Sequence, residues 1–135
     1  MTLDIILPVY RNIDMVRACL DSLVRHLDEV RDYSPRLIAI NDSPDDEAVE
    51  AYLRQCHADG LIDVHIRNPE NLGFVRSVNK GLDMARRDRR AALLVNSDTL
   101  TYAGTLAEML AVLQADPQIG FVCPRSNNAA LATFP

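Results

Sequence analysis

Leu93-Leu94-Val95-Asn96-Ser97-Asp98-Thr99 is the stretch that decides the fold of this chain. Its first half belongs to the apolar run 91–95, which predicts a buried parallel strand, because parallel strands covered on both faces lose the alternation of polar and apolar residues. The run stops at three short polar residues, 96–98. Open α/β sheets bind ligands at the carboxyl ends of their strands, so Asp98 is a candidate binding group. A turn followed by a helix cap is the alternative, and this stretch alone leaves both open.

Composition limits the classes of protein to consider. With 135 residues, 48% of them hydrophobic and 24% charged, the chain has the size and composition of one globular domain. The net charge of −5 argues against a dedicated nucleic-acid binder, whose binding face is basic. No apolar run approaches the roughly 18 residues that a membrane-spanning helix needs.

The cysteines indicate the redox environment. Cys19, Cys56 and Cys123 are far apart, contain no Cys-x-x-Cys pair and have apolar neighbours, so we expect three buried free thiols. Free thiols suit a reducing cytosol, and no signal peptide precedes the first predicted strand. The expected location is therefore cytoplasmic, with peripheral association at the inner face of the membrane left open for a full-length protein.

Strand and helix patterns alternate along the chain. Strands are predicted at residues 3–9, 37–40, 63–67, 91–95 and 119–123, and residues 125–135 are predicted to be an irregular tail. The intervening helices begin near Asn12, near Ser43 (as N-cap, with Pro44 in the first helical position), at residue 74 and near residue 103. The third helix should turn Phe74, Val78, Leu82 and Ala85 inward, and Gly81 within it indicates close backbone packing.

This alternation predicts an α/β fold with a doubly wound, mainly parallel, Rossmann-like sheet of strand order 3-2-1-4. The carboxyl ends of strands one, two and four then converge. These ends carry Pro8-Val9-Tyr10, Asn41-Asp42-Ser43 and Asn96-Ser97-Asp98. Aspartates brought together at one sheet edge are costly unless a cation compensates them, and Mg²⁺ prefers carboxylate oxygens together with phosphate oxygens of a substrate. The chain lacks both the Gly-x-Gly-x-x-Gly and the P-loop patterns, which argues against those two nucleotide-binding folds.

Four segments together resemble the donor-binding half of family 2 glycosyltransferases of the GT-A fold. They are similar to that family's V-P-x-Y-N strand end, its V-D-D-x-S-x-D segment, its N-x-G-x-x-x-x-x-N-x-G helix start and its D-x-D metal motif. In this sequence they lie, in the same order, at residues 6–11, 40–46, 71–81 and 94–99. Each motif alone is weak, whereas their common order and spacing cover nearly the whole chain.

The resemblance implies a role for each matching position in binding a nucleotide-diphospho-sugar, with UDP- or dTDP-sugars expected. Asp42 would accept a hydrogen bond from the nucleobase, with an Asx turn as the structural alternative. The nucleotide-binding set implied in this way consists of Pro8, Val9, Tyr10, Asp42, Gly73, Asn79, Asn96 and Ser97. For Tyr10, Gly73 and Asn79, ordinary strand-end, helix-start or packing roles remain alternatives.

The resemblance also implies a divalent cation, Mg²⁺ or Mn²⁺, held by Asp98 against the diphosphate. Asn96 departs from the pattern, because many relatives carry an aspartate there, so metal affinity is expected to be weaker. Arg76 stands where small residues are common, and we expect it to face solvent.

The implied function is inverting transfer of a sugar to an acceptor hydroxyl in polysaccharide or glycoconjugate synthesis of bacterial type. No acidic residue follows Asp116, so no catalytic residue is assigned in this chain, and the general base is expected downstream of Pro135. Residues 1–124 are accordingly predicted to be the donor-binding domain, and 125–135 a tail leading to a missing acceptor-binding segment that leaves the fold incomplete at its C-terminus. The alternatives are a non-catalytic nucleotide- or partner-binding module of the same fold and, more weakly, a nucleotidyltransferase. The acceptor, glycan or glycolipid, is not identified.

Overall fold

The computed structural model describes residues 1–124, which form a four-stranded sheet with helices on both faces. In chain order the elements are β1 (Leu3–Val9), α1 (Ile13–His26), a 3₁₀ helix (Leu27–Tyr33), β2 (Arg36–Asn41), α2 (Glu47–Ala58), β3 (Val64–Arg67), α3 (Phe74–Arg87), β4 (Ala91–Leu94) and α4 (Thr105–Ala115). All three strand pairings are parallel, and the order across the sheet is 3-2-1-4. The predicted doubly wound α/β fold and its strand order are confirmed.

The sheet separates two apolar layers. On one face, buried residues of α1, α2 and α4 form one cluster with Ile5 and Leu7 of β1. On the other face, Ile6 of β1 and Ile38 and Ile40 of β2 form a second cluster beneath α3. Strand β1 therefore contributes to both layers, and all seven of its residues are buried, which makes it the centre of the domain.

Gly81 is a point at which α3 approaches the sheet closely. A Cβ atom at this position would lie 2.6 Å from Cγ2 of Ile6, well inside van der Waals contact. The close backbone packing predicted at Gly81 is therefore confirmed, and it brings α3 near the central strand.

Strand β4 differs from its prediction in one respect. It pairs with β1 as expected, but it is the last strand of the described sheet, and exposure alternates along it. Leu94, opposite Ile6 in the pairing register, is 46% exposed. The apolar run at 91–95 predicted a strand covered on both faces. Within residues 1–124 that was wrong, because β4 has a neighbouring strand on one side only and α3 contacts it without covering Leu94.

Helix α2 begins three residues later than predicted. Its N-cap is Asp46, whose side chain accepts from the backbone N–H of Val49, and not Ser43. The Ser43 hydroxyl is already engaged, because it donates to Oδ1 of Asn41 and accepts from the backbone N–H of Arg11. The sequence could not show this competition, since Arg11 lies 32 residues away.

Helix α3 has the predicted length but a narrower buried face. Val78 and Ala85 are buried as predicted, whereas Phe74 and Leu82 are 54% and 37% exposed.

The predicted fifth strand at 119–123 is wrong. Residues 117–124 contain no strand; Ile119 donates to the carbonyl of Asp116 in a turn, and Phe121 is 81% exposed. An apolar run forms a strand only where another strand can pair with it, and this run lies against none in the described sheet.

Cys123 in the same segment is exposed, whereas Cys19 and Cys56 are buried as predicted. The tail predicted at 125–135 lies outside the described residues.

No helix within residues 1–124 has both the length and the apolar character required to cross a lipid bilayer.

Candidate functional site

A cleft of about 600 Å³ opens where the carboxyl ends of β1, β2 and β4 meet. Eight of the nine residues predicted for the site line it: Pro8, Val9, Tyr10, Asp42, Gly73, Asn96, Ser97 and Asp98. The ninth, Asn79, does not line the cleft and is exposed on α3, so its role stays a prediction. The convergence of strand ends predicted from the strand order is what the structure shows.

Pro8 explains why the sheet opens at this point. The backbone N–H of Val95 donates to the carbonyl of Ile6, which is the last bond between β4 and β1. In a parallel pair the next bond would run from the N–H of residue 8 in β1 to the carbonyl of Val95. Residue 8 is proline, which has no N–H, so this bond cannot form. Pairing on the other side of β1 continues to Val9 opposite Asn41, so β4 alone separates and leaves a crevice.

The segment after β1 forms one wall of the cleft in an unusual backbone conformation. Arg11 and Asn12 both have positive φ, 53° and 56°, a conformation that costs most residues roughly 1–2 kcal/mol. Two contacts hold it: the Arg11 N–H donates to Oγ of Ser43 at 3.0 Å, and Oδ1 of Asn12 accepts from the N–H of Met15 at 3.3 Å. The predicted cap at Asn12 is thus confirmed.

Arg11 also brings a positive charge to the rim of the cleft. Its guanidinium donates to Oδ2 of Asp45 at 2.8 Å and to the Tyr10 hydroxyl at 3.2 Å. The hydrogen bond from Arg11 holds the pKa of the Asp45 carboxyl below its ordinary value. Asp45 is therefore an ionised partner that orients Arg11.

Asp42 lies at the end of β2 and is only 4% exposed. Its Oδ1 accepts from Nδ2 of Asn68 and from the N–H of Leu72, both at 2.7 Å. Its Oδ2 accepts from the N–H of Gly73 at 2.9 Å. An ionised carboxylate offers about four acceptor positions, so three are filled and one remains on Oδ2.

Gly73 joins this carboxylate to the start of α3. It has φ 83° and ψ 163°, a conformation essentially restricted to glycine, and it precedes the first helical residue. Its N–H is shared between Oδ2 of Asp42 and Oδ1 of Asn71, both at 2.9 Å. The Asx turn considered for Asp42 is thus replaced by contacts with a loop some 30 residues further along the chain.

The loop after β4 is fixed through one carbonyl. The carbonyl oxygen of Asn96 accepts from the N–H of Thr99 at 3.1 Å, from the Thr99 hydroxyl at 2.7 Å and from Sγ of Cys19 at 3.4 Å. Burial is the main cause that raises the pKa of the Cys19 thiol, so it stays protonated and can donate. The turn that presents Asp98 is therefore tied to α1.

The side chains of this loop suit a weakly held hard cation. Asp98 is exposed toward the cleft, and among residues 1–124 its carboxylate has neither a hydrogen-bond nor an ion-pair partner. The amide oxygen of Asn96 is a second candidate ligand in the same lining. The described part of the chain contains no group of three or more His, Cys, Asp or Glu placed to hold a metal. The donor set thus fits a cation whose remaining ligands are phosphate oxygens and water.

Sequence reasoning missed six residues that also line the cleft: Arg11, Asn12, Met15, Asn71, Phe74 and Ser77. For four of them a signal existed, since Arg11, Asn71, Phe74 and Ser77 lie within the segments 6–11 and 71–81 that carry the family resemblance. For Met15 there was none, because helical spacing alone does not show which turn of a helix borders a cleft. Arg76 is exposed and does not line the cleft, as expected.

Comparison with solved structures finds the same architecture in glycosyltransferases. A mannosyltransferase from Pyrobaculum calidifontis, PcManGT, in complex with GDP-Man and Mn²⁺, aligns with a TM-score of 0.69 at 20% identity over 87% of this chain and 33% of its own. S. aureus TarS residues 1–349 in complex with UDP aligns at 0.64 and 18% identity, over 84% of this chain and 32% of its own. A further S. aureus TarS structure aligns at 0.61 and 17% identity, over 84% of this chain and 19% of its own.

These structural similarities establish the fold, and the chain spans at most about a third of the length of these proteins. A comparison with curated proteins gave no significant match. A comparison with protein families, by contrast, matches residues 4–130 to "Glycosyl transferase family 2". That match covers nearly the whole chain and includes every residue that lines the cleft. The chain therefore belongs to glycosyl transferase family 2 and has its GT-A fold.

Proposed function

We propose that this chain is the donor-binding part of a metal-dependent, inverting glycosyltransferase, and that the cleft binds a nucleotide-diphospho-sugar. The observation that carries the proposal is that Asp42, after β2, and the loop of Asn96 and Asp98, after β4, line one cleft of about 600 Å³; β2 and β4 are the two neighbours of β1 in the sheet. That volume is in the range of small-molecule and cofactor sites. The similar solved proteins that bind GDP-Man and UDP support the same ligand class.

The free acceptor position on Asp42 favours a uracil or thymine base. These bases present a single imide N–H between two carbonyls, which matches one remaining position on Oδ2. Guanine presents two adjacent N–H donors on its Watson–Crick edge, and one acceptor position cannot serve both. We therefore propose UDP- or dTDP-sugars as donors, with GDP-sugars bound more weakly.

At the carboxyl end of β4, Asp98 and the amide oxygen of Asn96 would hold Mg²⁺ or Mn²⁺. The cation would neutralise the diphosphate and stabilise it as a leaving group. Arg11, at the rim and held by Asp45, would add a positive charge near the anionic donor. The side chains in the chain itself thus bind and orient the donor.

The acid–base chemistry is proposed to come from outside the described residues. Of the residues that line the cleft, only Asp42 and Asp98 carry carboxylates, and both are assigned to donor binding. An inverting transfer needs a general base for the acceptor hydroxyl, and we propose that a segment following the printed sequence supplies it. The same observation favours the second candidate, a nucleotide-binding module without transferase activity.

Calorimetry with UDP, dTDP and GDP, each with Mn²⁺, with Mg²⁺ and with a chelator, tests the proposal. We expect metal-dependent binding, with both pyrimidine nucleotides tighter than GDP. Asp98→Ala should lower UDP affinity in Mn²⁺ by on the order of tenfold and have little effect in the chelator, because the metal contribution is what it removes. Asp32→Ala, which removes a 94% exposed carboxylate on the 3₁₀ helix, is the matched control.

Absence of metal-dependent nucleotide binding would refute the proposed function. Transfer activity in the full-length protein then separates the two candidates: a full-length protein that binds UDP in Mn²⁺ but transfers and hydrolyses no sugar nucleotide would be a binding module.

A further inference from the structure

Asn68, directly after β3, is a fully buried polar side chain that the proposed function does not use. Its Nδ2 donates to Oδ1 of Asp42 at 2.7 Å and to Oγ of Ser77 at 2.9 Å. Its Oδ1 accepts from Nζ of Lys80 at 2.6 Å. Its backbone N–H donates to the carbonyl of Asn41, which continues the ladder of β2. Asn68 therefore stands behind the candidate base-recognition group without lining the cleft.

The charges on either side fix the orientation of this amide. Lysine can only donate and an ionised carboxylate can only accept. The amide oxygen must therefore face Lys80 and the amide nitrogen must face Asp42. A flipped amide would place Nδ2 against the ammonium and Oδ1 against the carboxylate, two repulsive contacts at close range. Lys80 thus acts on Asp42 through one intervening residue, and in a buried position such a chain polarises along its length.

This fixed amide determines which acceptor position of Asp42 remains open. With Nδ2 of Asn68 and the N–H of Leu72 both bound to Oδ1, that oxygen is saturated. The open position is then on Oδ2, beside the N–H of Gly73. If the amide were free to turn, the carboxylate could rotate and offer its free position in another direction.

We propose that Asn68 and Lys80 are positioning residues for nucleobase recognition, which hold the Asp42 carboxylate so that one acceptor position faces the base. This inference rests on the proposed function and adds the residues that set its base selectivity. It assigns a role to a lysine on α3 that neither the cleft lining nor the sequence motifs single out.

The decisive variant is Lys80→Met, which keeps most of the aliphatic stem, removes the ammonium and leaves Oδ1 of Asn68 without its charged donor. Its matched control is Arg86→Met on the same helix, where the side chain is 82% exposed and pairs only with Asp83 among the described residues. Both variants remove one positive charge from α3. A second variant, Asn68→Ala, removes the amide itself, and circular dichroism with urea unfolding reports whether each protein is folded.

Three ligands are titrated into each protein in Mn²⁺ by calorimetry: UDP, GDP and inorganic diphosphate. We expect Lys80→Met to weaken UDP on the order of tenfold, since one charge-assisted contact in the chain is lost, and to leave diphosphate within about twofold. The preference for UDP over GDP should fall by a similar factor, and Asn68→Ala should show the same pattern or a larger one. Arg86→Met should match the wild-type protein for all three ligands.

Two outcomes would overturn the inference. Lys80→Met that binds UDP as the wild type does would show that the ammonium is not needed, and equal weakening of UDP and diphosphate would show a general structural role. If the wild-type chain binds no nucleotide in a metal-dependent manner, the proposed function and this inference both fail. If it binds UDP in this manner but no more tightly than GDP, the proposed base preference and this inference fail. Both results differ from the two outcomes above.

Discussion

The substitution Asp42→Asn tests the proposed site most directly, because it replaces one oxygen by an NH₂ group at nearly constant shape. Oδ1 receives two donors, from Asn68 and Leu72, so the new amide must keep its oxygen there and place its NH₂ where Oδ2 was. The N–H of Gly73 then loses this acceptor but retains Oδ1 of Asn71 at 2.9 Å. The cost in folding free energy is therefore small, about 1–2 kcal/mol for one charge-assisted bond.

The cost to base recognition should be much larger. The imide N–H of uracil would face an N–H donor instead of an acceptor, which forfeits a charge-assisted bond and leaves two buried donors opposed. With about 1.5–3 kcal/mol for the lost bond and a further 1–3 kcal/mol for the unpaired donor, UDP affinity should fall at least about 60-fold. Cytosine has a bare ring nitrogen at the corresponding position and can accept from the new NH₂. The preference for UDP over CDP should therefore narrow or reverse.

Calorimetry with UDP and CDP in Mn²⁺, together with urea unfolding followed by circular dichroism, measures both effects. Asp42→Ala is the comparison: it leaves the donors of Asn68 and Leu72 without their acceptor and should unfold more easily than Asp42→Asn. The reasoning about Asp42 is refuted if Asp42→Asn binds UDP within about threefold of the wild type, or if CDP binding weakens as much as UDP binding.

Three further predictions concern the metal loop, the packing of α3 and the thiols. Asn96→Asp should raise Mn²⁺ affinity in the presence of UDP by on the order of tenfold, because a second carboxylate joins Asp98 in the lining; calorimetry at fixed UDP measures it. Gly81→Ala should lower the free energy of unfolding by about 1–2 kcal/mol, measured in urea titrations. Two branches of the rigid Ile6 side chain lie within 3 Å of the new Cβ. The cost of this overlap outweighs the roughly 1 kcal/mol gain in helix propensity. Of the three thiols, only exposed Cys123 should react rapidly with a chromogenic disulfide under native conditions, while the buried pair should require unfolding.

The sheet and the position of the cleft could be predicted from sequence because both depend on local signals. Apolar runs that end in short polar residues mark strand ends, and the alternation of strands and helices fixes a parallel order. The same local reasoning failed at 119–123, where an apolar run resembles a strand but finds no neighbour to pair with. Pairing is a property of the sheet and not of the run.

The contacts that prepare the site could not be predicted, because they join residues distant in sequence. The local sequence around Ser43 is that of a helix cap, but its hydroxyl accepts a hydrogen bond from the N–H of Arg11, 32 positions earlier. An Asx turn was the structural alternative for Asp42, since nothing in the sequence near it indicates that Leu72 and Gly73 are its hydrogen-bond partners. Local patterns place these side chains at the cleft, but only the folded chain shows which of their acceptor positions are still free.

The two proposed recognition groups are supported in the same manner, by buried side chains that do not line the cleft. The carboxylate of Asp42 is held by Asn68, and the loop that carries Asp98 is held through the Asn96 carbonyl by Cys19 of α1. Neither supporting side chain lines the cleft, and both are buried. A group that is already fixed loses little conformational entropy when a ligand binds, so more of the free energy of each contact contributes to affinity and selectivity. For this reason, substitutions at Asn68 should change which base is preferred, and substitutions at Cys19 should change the metal-dependent part of the affinity, although neither side chain lines the cleft.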